Sequence, residues 1–351
     1  MSAGPRLAAA AMALAVGASS SCGTQGDPGR WSQEEPISVH VSPHGSDGGA
    51  GTADRPFRTI RRAAEVAVPG TTVHVAPGVY RGSVRAESAG SARAPIRFVS
   101  DTPHGALVRG VVSLGRRHLV FEGFRVSGPR RREGIEVTAS DVTVRGNDVH
   151  RVHRFAPNED GGSGIDVYTD GYRPLRRVTI DANRVHDIGA RVGANQLVQG
   201  IYVSVPCRGC SVTNNLVYRV SDFGIHAFHR PRHWLVANNT VYGNGRGILT
   251  GPDFVVTNNI SSGNRSSDYE VRGRATLTSN LSYGRGRTRR PGVKVVNPQL
   301  LDPGSGRTGG FRLAPTSPAV DSGSPLPAPE TDYSGAGRPR GAGYDIGAYE
   351  R

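Results

Sequence analysis

Lysine is nearly missing from this chain. Lys294 is its single lysine, and arginine supplies the rest of a formal charge of +14. Helical periodicity is scarce as well. No helix-based reader of DNA can be drawn from it, and no basic stripe interleaved with aromatics replaces one, so nucleic acid is not an expected partner. Cysteine is limited to Cys22, Cys207 and Cys210. The pair in Cys207-Arg208-Gly209-Cys210 lacks two further soft ligands nearby for zinc. It also lacks the βαβ context of a thioredoxin-like redox motif. Outside the cytosol, the expectation is a small disulfide pinning a turn.

What the chain does have is one repeated phrase. Gly-Ile-x-Val recurs at Gly134-Ile135-Glu136-Val137, Gly164-Ile165-Asp166-Val167 and Gly200-Ile201-Tyr202-Val203, then loosens to Gly224-Ile225-His226-Ala227 and Gly247-Ile248-Leu249-Thr250. An asparagine recurs downstream of each phrase, at Asn147, Asn183, Asn215, Asn239 and Asn259, and once more at Asn280. A drifting period above about 20 residues, with loops absorbing the excess, marks a solenoid. Each unit holds short β-branched runs broken by Gly and Asn, enough for three strands and three bends. The expectation is a parallel β-helix, whose coils must stack because one coil cannot bury its apolar face alone. The asparagine suits a bend that needs a left-handed residue whose amide bonds the next coil. A leucine-rich repeat also fits Val178-x-Ile180-x-x-Asn183-x-Val185, but its convex side should be Leu-rich, where this chain offers Gly-Ile-x-Val.

The first residues set the compartment. Arg6 precedes an apolar run from Leu7 to Val16, too short for a membrane span and suited to a secretion signal. Ser19-Ser20-Ser21-Cys22 resembles a bacterial lipoprotein cleavage box, with serine where such boxes usually carry leucine. Val16-Gly17-Ala18 would serve an ordinary signal peptidase instead. The expectation is an exported, monomeric protein held at the cell surface by a lipid on Cys22. Residues 1–22 are then the signal and 23–37 a polar tether, followed by a solenoid over 38–296 and a C-terminal wrap over 297–351. With 36% hydrophobic residues the chain can bury a large core, and a solenoid grows lengthwise. A basic exported protein attracts polyanions such as uronate polysaccharides, against the plainer reading of arginines scattered over a solvated surface.

Phe57, Ile60, Ala64 and Ala67 share one helical face, so a short helix is expected to cap the first coil. Around it stand Val41-Ser42-Pro43-His44-Gly45-Ser46-Asp47, Pro56-Phe57-Arg58-Thr59-Ile60, Pro69-Gly70-Thr71-Thr72-Val73 and Pro77-Gly78-Val79-Tyr80. These runs resemble the N-terminal cap of the right-handed parallel β-helix superfamily, nearest the pectate lyase family 9 and chondroitinase B-like proteins. Ser317-Pro318-Ala319-Val320-Asp321-Ser322-Gly323, Arg338-Pro339 and Asp345-Ile346-Gly347-Ala348-Tyr349-Glu350 resemble the tail of exported β-helix proteins called choice-of-anchor Q. The resemblance implies a right-handed β-helix over nearly all of the mature chain. It implies little about the reaction, since one fold hosts many functions.

Alternate residues of a strand face opposite ways. If the isoleucines fill the core, one outward row reads Glu136, Asp166, Tyr202, His226, Leu249, and a second Thr138, Tyr168, Ser204, Phe228. Coils about 4.8 Å apart bring row neighbours into contact. Two longer gaps, after Asn147 and Asn183, hold 153–160 and 189–196, where functional groups tend to concentrate. Tyr202 and His226 are thus the candidate base and acid, with Tyr168, Ser204, Phe228, Arg191, Asn195 and Gln196 as candidate sugar-binding residues. Glu136 and Asp166 are like charges near contact, which need a shared proton or a cation. With Glu159 and Asp160 overhanging they would hold Ca²⁺; alternatively they form the acid and nucleophile of a retaining glycosidase. His150, His186, Tyr218, Tyr242 and Tyr283 occupy one place after the asparagine and read as a structural stack. Asp332, Asp345 and Glu350 read as fixing the tail.

The reading that results is an exported carbohydrate-active protein, favoured as a polysaccharide lyase on an acidic, uronate-containing glycan. The families it resembles rely on a lysine base, whereas Lys294 lies beyond the last repeat. Tyr202, His226 or an arginine must then take that role, or the reaction differs. A glycoside hydrolase using Glu136 and Asp166 is one rival, and a non-catalytic glycan-binding or surface-architecture protein is the other.

Overall fold

The computed structural model describes residues 37–128, 133–152, 162–189 and 198–351. Three parallel sheets of eleven, eight and ten strands run along the solenoid, and each complete coil gives a strand to each sheet. One coil runs Ile135–Val137, Val142–Arg145 and Asp148–His150, and the next Gly162–Val167, Val178–Asp181 and Arg184–Ile188. Successive phrases pair in strict register, Ile135 on Ile165, Ile165 on Ile201, Ile201 on Ile225 and Ile225 on Ile248. All five isoleucines are buried, which is the burial that stacking provides and a single coil lacks.

The glycine of each phrase also turns inward. A Cβ on Gly164 would stand 2.6 Å from a Val185 methyl, and one on Gly200 2.6 Å from a Val217 methyl. The opposite sheet's valines fill that space, so only glycine fits. Gly and Ile both facing in leaves the residues on either side of them facing out.

The cap is as expected. Helix Ile60–Val66 starts at Thr59, whose hydroxyl accepts from the Arg62 N–H at 3.2 Å. Phe57, Ile60, Ala64 and Ala67 are all buried beneath it.

The asparagines bond the next coil as expected, but they are not themselves the left-handed residues. The left-handed residue is the one before each of them: Gly146, Ala182, Asn214, Asn238, Asn258 and Ser279. The recurring asparagine itself is fully buried and hydrogen-bonds along the stack. Asn147 Nδ2 donates to Asn183 Oδ1 at 3.0 Å, Asn183 to Asn215 at 3.1 Å, and Asn215 to Asn239 at 2.9 Å. Each Oδ1 also accepts the backbone N–H of the asparagine before it, as in Asn183 N–H to Asn215 at 2.9 Å. The polar bend is thereby satisfied inside an apolar core.

Where two asparagines adjoin, the first serves the tail. Asn214 Nδ2 donates to the Thr331 carbonyl at 2.9 Å, Asn238 to Asp345 at 3.1 Å, and Asn258 to Ser324 at 2.8 Å. Phe311, Ile346, Ala348 and Tyr349 pack there on Leu216, Tyr218, Ile260 and Leu281. Asp332, Asp345 and Glu350 lock the tail as expected. Arg338 pairs with Glu350, and Asp332 accepts from the Glu350 N–H at 3.0 Å. Cys207 and Cys210 are disulfide-bonded, closing the turn between them.

Candidate functional site

The outward row exists in register. Glu136 pairs with Asp166, Asp166 with Tyr202, Tyr202 with His226 and His226 with Leu249. It extends to Ser113 on one side and Glu270 on the other. It is less open than an outward face would be. His226 is 8% exposed and Asp166 9%; rings of its own coil and Tyr202 of the coil before crowd His226. Phe223 stacks on His226 at 4.5 Å between centroids, and Phe228 lies at 5.5 Å.

Of the row, Asp166, Tyr202 and His226 line a cleft of about 450 Å³, together with Phe228, Glu133, Ser163, Gln199, Phe223, Arg246 and Arg272. Five lining residues share one sequence position, immediately before the glycine: Glu133, Ser163, Gln199, Phe223 and Arg246. They form a third row, confirmed in the ladder by Ser163 opposite Gln199 and Phe223 opposite Arg246. The sequence reading missed this row. Its signal was present, since the inward pair Gly-Ile sets a residue of the cleft on both flanks.

Electrostatics grade along the cleft. Burial, then the charges of Glu133 and Glu136, push the Asp166 carboxyl well above the carboxylate range. Its Oδ1 is buried without a hydrogen-bond partner among the described residues. Glu136 Oε2 accepts from the Ser113 hydroxyl at 2.8 Å. At the other end Arg246 donates to Asp222 at 2.7 Å and lies over the Phe223 ring. Arg272 lies over Phe228 at 4.5 Å. Burial, then Arg246, Arg272 and His229, lower His226 to about 3, so its imidazole is neutral at ordinary pH. Its Nδ1 has no hydrogen-bond partner among the described residues. Burial and then Asp166 raise the Tyr202 phenol, which stays protonated. Beside them Tyr172 and His229, also unforeseen, share a hydrogen bond of 3.0 Å at the rim.

The second row divides. Phe228 lines the cleft, and Tyr168 stands by Glu136 and Asp166 with its phenol pushed up to about 12 by burial and then by those charges. Ser204 does not serve as expected: it is 1% exposed, with its hydroxyl donating to the Val167 carbonyl at 3.3 Å. A short side chain just past the strand end reaches its own ladder before it reaches a ligand. Glu159, Asp160, Arg191, Asn195, Gln196 and Cys22 lie outside the described residues. Lys294 sits on strand Val293–Val295, in a different sheet from the row.

A second cluster, Asp148, His150 and His186, brings three potential metal-binding atoms within 4.8 Å. It belongs to the expected stack, which runs His150, His186, Tyr218, Tyr242, Ser262, Tyr283, the serine having been overlooked. The two imidazoles lie 5.3 Å apart and 12° from parallel. A metal lies near the plane of each imidazole that binds it, and stacked parallel planes share no such point. Both nitrogens of His186 already face carboxylates, Asp148 at 2.9 Å and Asp187 at 2.6 Å. The cluster is a hydrogen-bonded column.

A family model described as "Right handed beta helix region" matches residues 104–281, and one described as "Protein of unknown function (DUF1565)" matches 43–88. The uncharacterized protein YwoF of Bacillus subtilis (strain 168) is 26% identical over 205 residues, 53% of this chain. The matched region spans 42% of that curated relative's length. Among solved structures, pectate lyase Pel9A superposes with a TM-score of 0.64 at 16% identity, over 90% of this chain and 96% of that one. The GH136 lacto-N-biosidase of Eubacterium ramulus gives 0.53 at 14% identity, over 70% of this chain and 56% of that one.

Proposed function

The chain belongs to the right-handed β-helix family, and from that premise we propose that it is a carbohydrate-active enzyme which cleaves an acidic polysaccharide in this cleft by β-elimination. The observation that carries the reading is the run Asp166, Tyr202, His226 on successive coils inside one aromatic-walled cleft. Phe223 and Phe228 offer faces for sugar rings. His226, neutral and with a free lone pair, takes the proton beside the uronate carboxylate. That electron pair forms the new carbon–carbon double bond as the glycosidic carbon–oxygen bond breaks. Tyr202, held as a phenol, returns a proton to the departing oxygen. A pKa of about 3 makes His226 a weak base in the empty cleft. A carboxylate placed near Arg246 and Arg272 offsets the charges that hold it down and stabilises the enolate.

The acidic end suits a cation. Asp166 offers a buried, unpartnered oxygen, and Glu136 and Glu133 add charge beside it. These residues would hold a Ca²⁺ ion, which when bound would neutralise a substrate carboxylate. The same raised carboxyl favours a second reading, a glycoside hydrolase with Asp166 as acid and Glu136 as nucleophile. Export, with a lipid on Cys22, completes the proposal and is read by mass analysis of the protein from its host.

The test is a screen against pectin, alginate, glycosaminoglycans and neutral glycans. Near-ultraviolet absorbance rising with new chain ends supports elimination. New reducing ends without absorbance support the hydrolase. Neither, with measurable binding, makes the protein a glycan-binding module.

A further inference from the structure

The turn that leads from the cleft's sheet into the eleven-stranded sheet carries arginine on four of five successive coils, the exception being the coil of Ser140-Asp141. Arg117, Arg176 with Arg177, Arg208 and Arg232 all stand there, and all are exposed. Their alignment follows from the backbone. Arg176 pairs with Arg208 in the ladder, the Arg177 N–H donates to the Arg208 carbonyl at 3.0 Å, and Asp141 N–H donates to the Arg176 carbonyl at 2.8 Å. Arg232 follows on the next coil, opposite Pro206. The disulfide from Cys207 to Cys210 braces the turn that presents Arg208.

Like charges on adjoining rungs repel, so such a column is destabilising unless counter-charges accompany it. The protein supplies some of these. Asp141 takes Arg117 at 2.8 Å and also Arg177, and Asp253 takes Arg232 at 3.3 Å. Arg176 and Arg208 stand between those pairs with no acidic partner among the described residues. Arg176 and Arg208 hold one rung of adjacent coils, and Arg232 follows two residues out of that register. The spacing, about 4.8 Å per coil, sets the cationic row parallel to the solenoid axis, as the cleft rows also run.

We propose that this arginine ridge is a second glycan-binding site, which holds a linear, carboxylate-bearing polysaccharide along the solenoid axis outside the cleft. Guanidinium groups pair with carboxylates in two-point geometry, which suits a chain carrying one carboxylate per sugar. The ridge takes no part in the chemistry, so binding there is independent of turnover in the cleft.

The experiment measures binding of the full chain to polygalacturonate, to fully methyl-esterified pectin and to duplex DNA, at low and at physiological salt. The variant Arg176→Ser with Arg208→Ser removes two exposed charges. A control, Arg81→Ser with Arg109→Ser, removes two exposed charges from a paired position on the ten-stranded sheet. The expected result is salt-sensitive binding to polygalacturonate, weakened about tenfold in the ridge variant. It should be unchanged in the control, and absent for the esterified pectin. Both variants should melt as the parent does. Equal losses in ridge and control variants would show that net charge alone acts, and would overturn the proposal. So would equal binding of DNA, or of esterified pectin. A ridge variant that binds normally while the cleft retains activity also refutes the ridge and leaves the proposed enzyme standing.

Discussion

Tyr202 and His226 occupy the same rung of adjacent coils, their ring centroids 5.3 Å apart and their planes inclined by 35°. If the two transfer protons as proposed, this placement lets both reach one bond of one substrate, and the isoleucines beneath them fix the spacing. Tyr202→Phe keeps the ring and deletes only the hydroxyl. It should lower kcat on the glycan found by the screen about 10²–10⁴-fold with little change in melting temperature. His226→Gln should lose turnover comparably. Phe228→Ala should raise KM more than it lowers kcat. Wild-type kcat in both Tyr202→Phe and His226→Gln would remove the row from catalysis.

The buried imidazole predicts an acid limb in stability. Folding lowers His226 from 6.5 to about 3, so below pH 6.5 the unfolded chain binds the proton that the folded chain refuses. The stability from this residue is present above pH 6.5 and falls away as pH drops toward 3. Leu249 holds the same row position one coil on, fully buried, so leucine is compatible with that rung. His226→Leu should therefore lose less stability than the parent between pH 7 and pH 4 in denaturant titrations. Parallel losses in the two proteins would mean that His226 is not buried neutral.

Calcium tests the acidic end separately. If Asp166 and Glu136 hold Ca²⁺, millimolar calcium should raise the melting temperature by mass action. Asp166→Asn should abolish that rise and, by relieving the repulsion from Glu136 and Glu133, should melt higher than the parent without calcium. An identical calcium response in Asp166→Asn would exclude the site.

The fold was legible because each residue type in the repeat has one physical task. Isoleucine marks the core, asparagine the polar bend, and the spacing excludes helices. The row Glu136, Asp166, Tyr202, His226 was legible because alternation along a strand is fixed by the backbone. The row Glu133, Ser163, Gln199, Phe223, Arg246 was not read, because strict alternation would send it elsewhere. Only the double inward turn at Gly-Ile, forced by the valines opposite, brings it round. Arg272, Tyr172 and His229 come from turns, where no repeat fixes direction. The asparagine's bond to the next coil was legible, but its left-handed conformation was misassigned: the residue before it takes that conformation.

That stack predicts a cost. Asn215 Oδ1 accepts from both the N–H and the amide of Asn183, while its own amide serves Ile180 and Asn239. Asn215→Ala leaves buried groups unpaired on two neighbouring coils and should destabilise by about 3 kcal/mol or more. Asn214→Ala, one residue away, loses one bond to Asp181 and the tail contacts to Thr331 and Arg338 but none of the ladder, and should cost less. Equal costs in urea titrations would show that the buried ladder has no special weight.

The tail gives the last prediction. Arg338 is buried, donates to Glu350 and to the Gly347 carbonyl at 3.0 Å, and reaches Asn214 Oδ1 at 3.2 Å. Around it Asp345 N–H donates to Glu350 at 3.2 Å, and Asp332 closes the turn through Ser334. Removing one member of such a pair leaves a buried charge uncompensated, which typically costs about 3–5 kcal/mol. Arg338→Ala should therefore release the segment after about residue 296, because the contacts that hold it depend on Asn214, Asn238 and Asn258. The coils keep their own ladder and isoleucine stack, so they should stay folded. Limited proteolysis should then trim the variant to a stable solenoid, and the parent should resist. The tail lies on Leu216, Tyr218, Ile260 and Leu281, residues that do not line the cleft, so glycan binding there should persist in the trimmed protein. Should Arg338→Ala unfold cooperatively with no trimmed product, tail and coils are a single folding unit. The asparagine doublets would then hold the solenoid itself together.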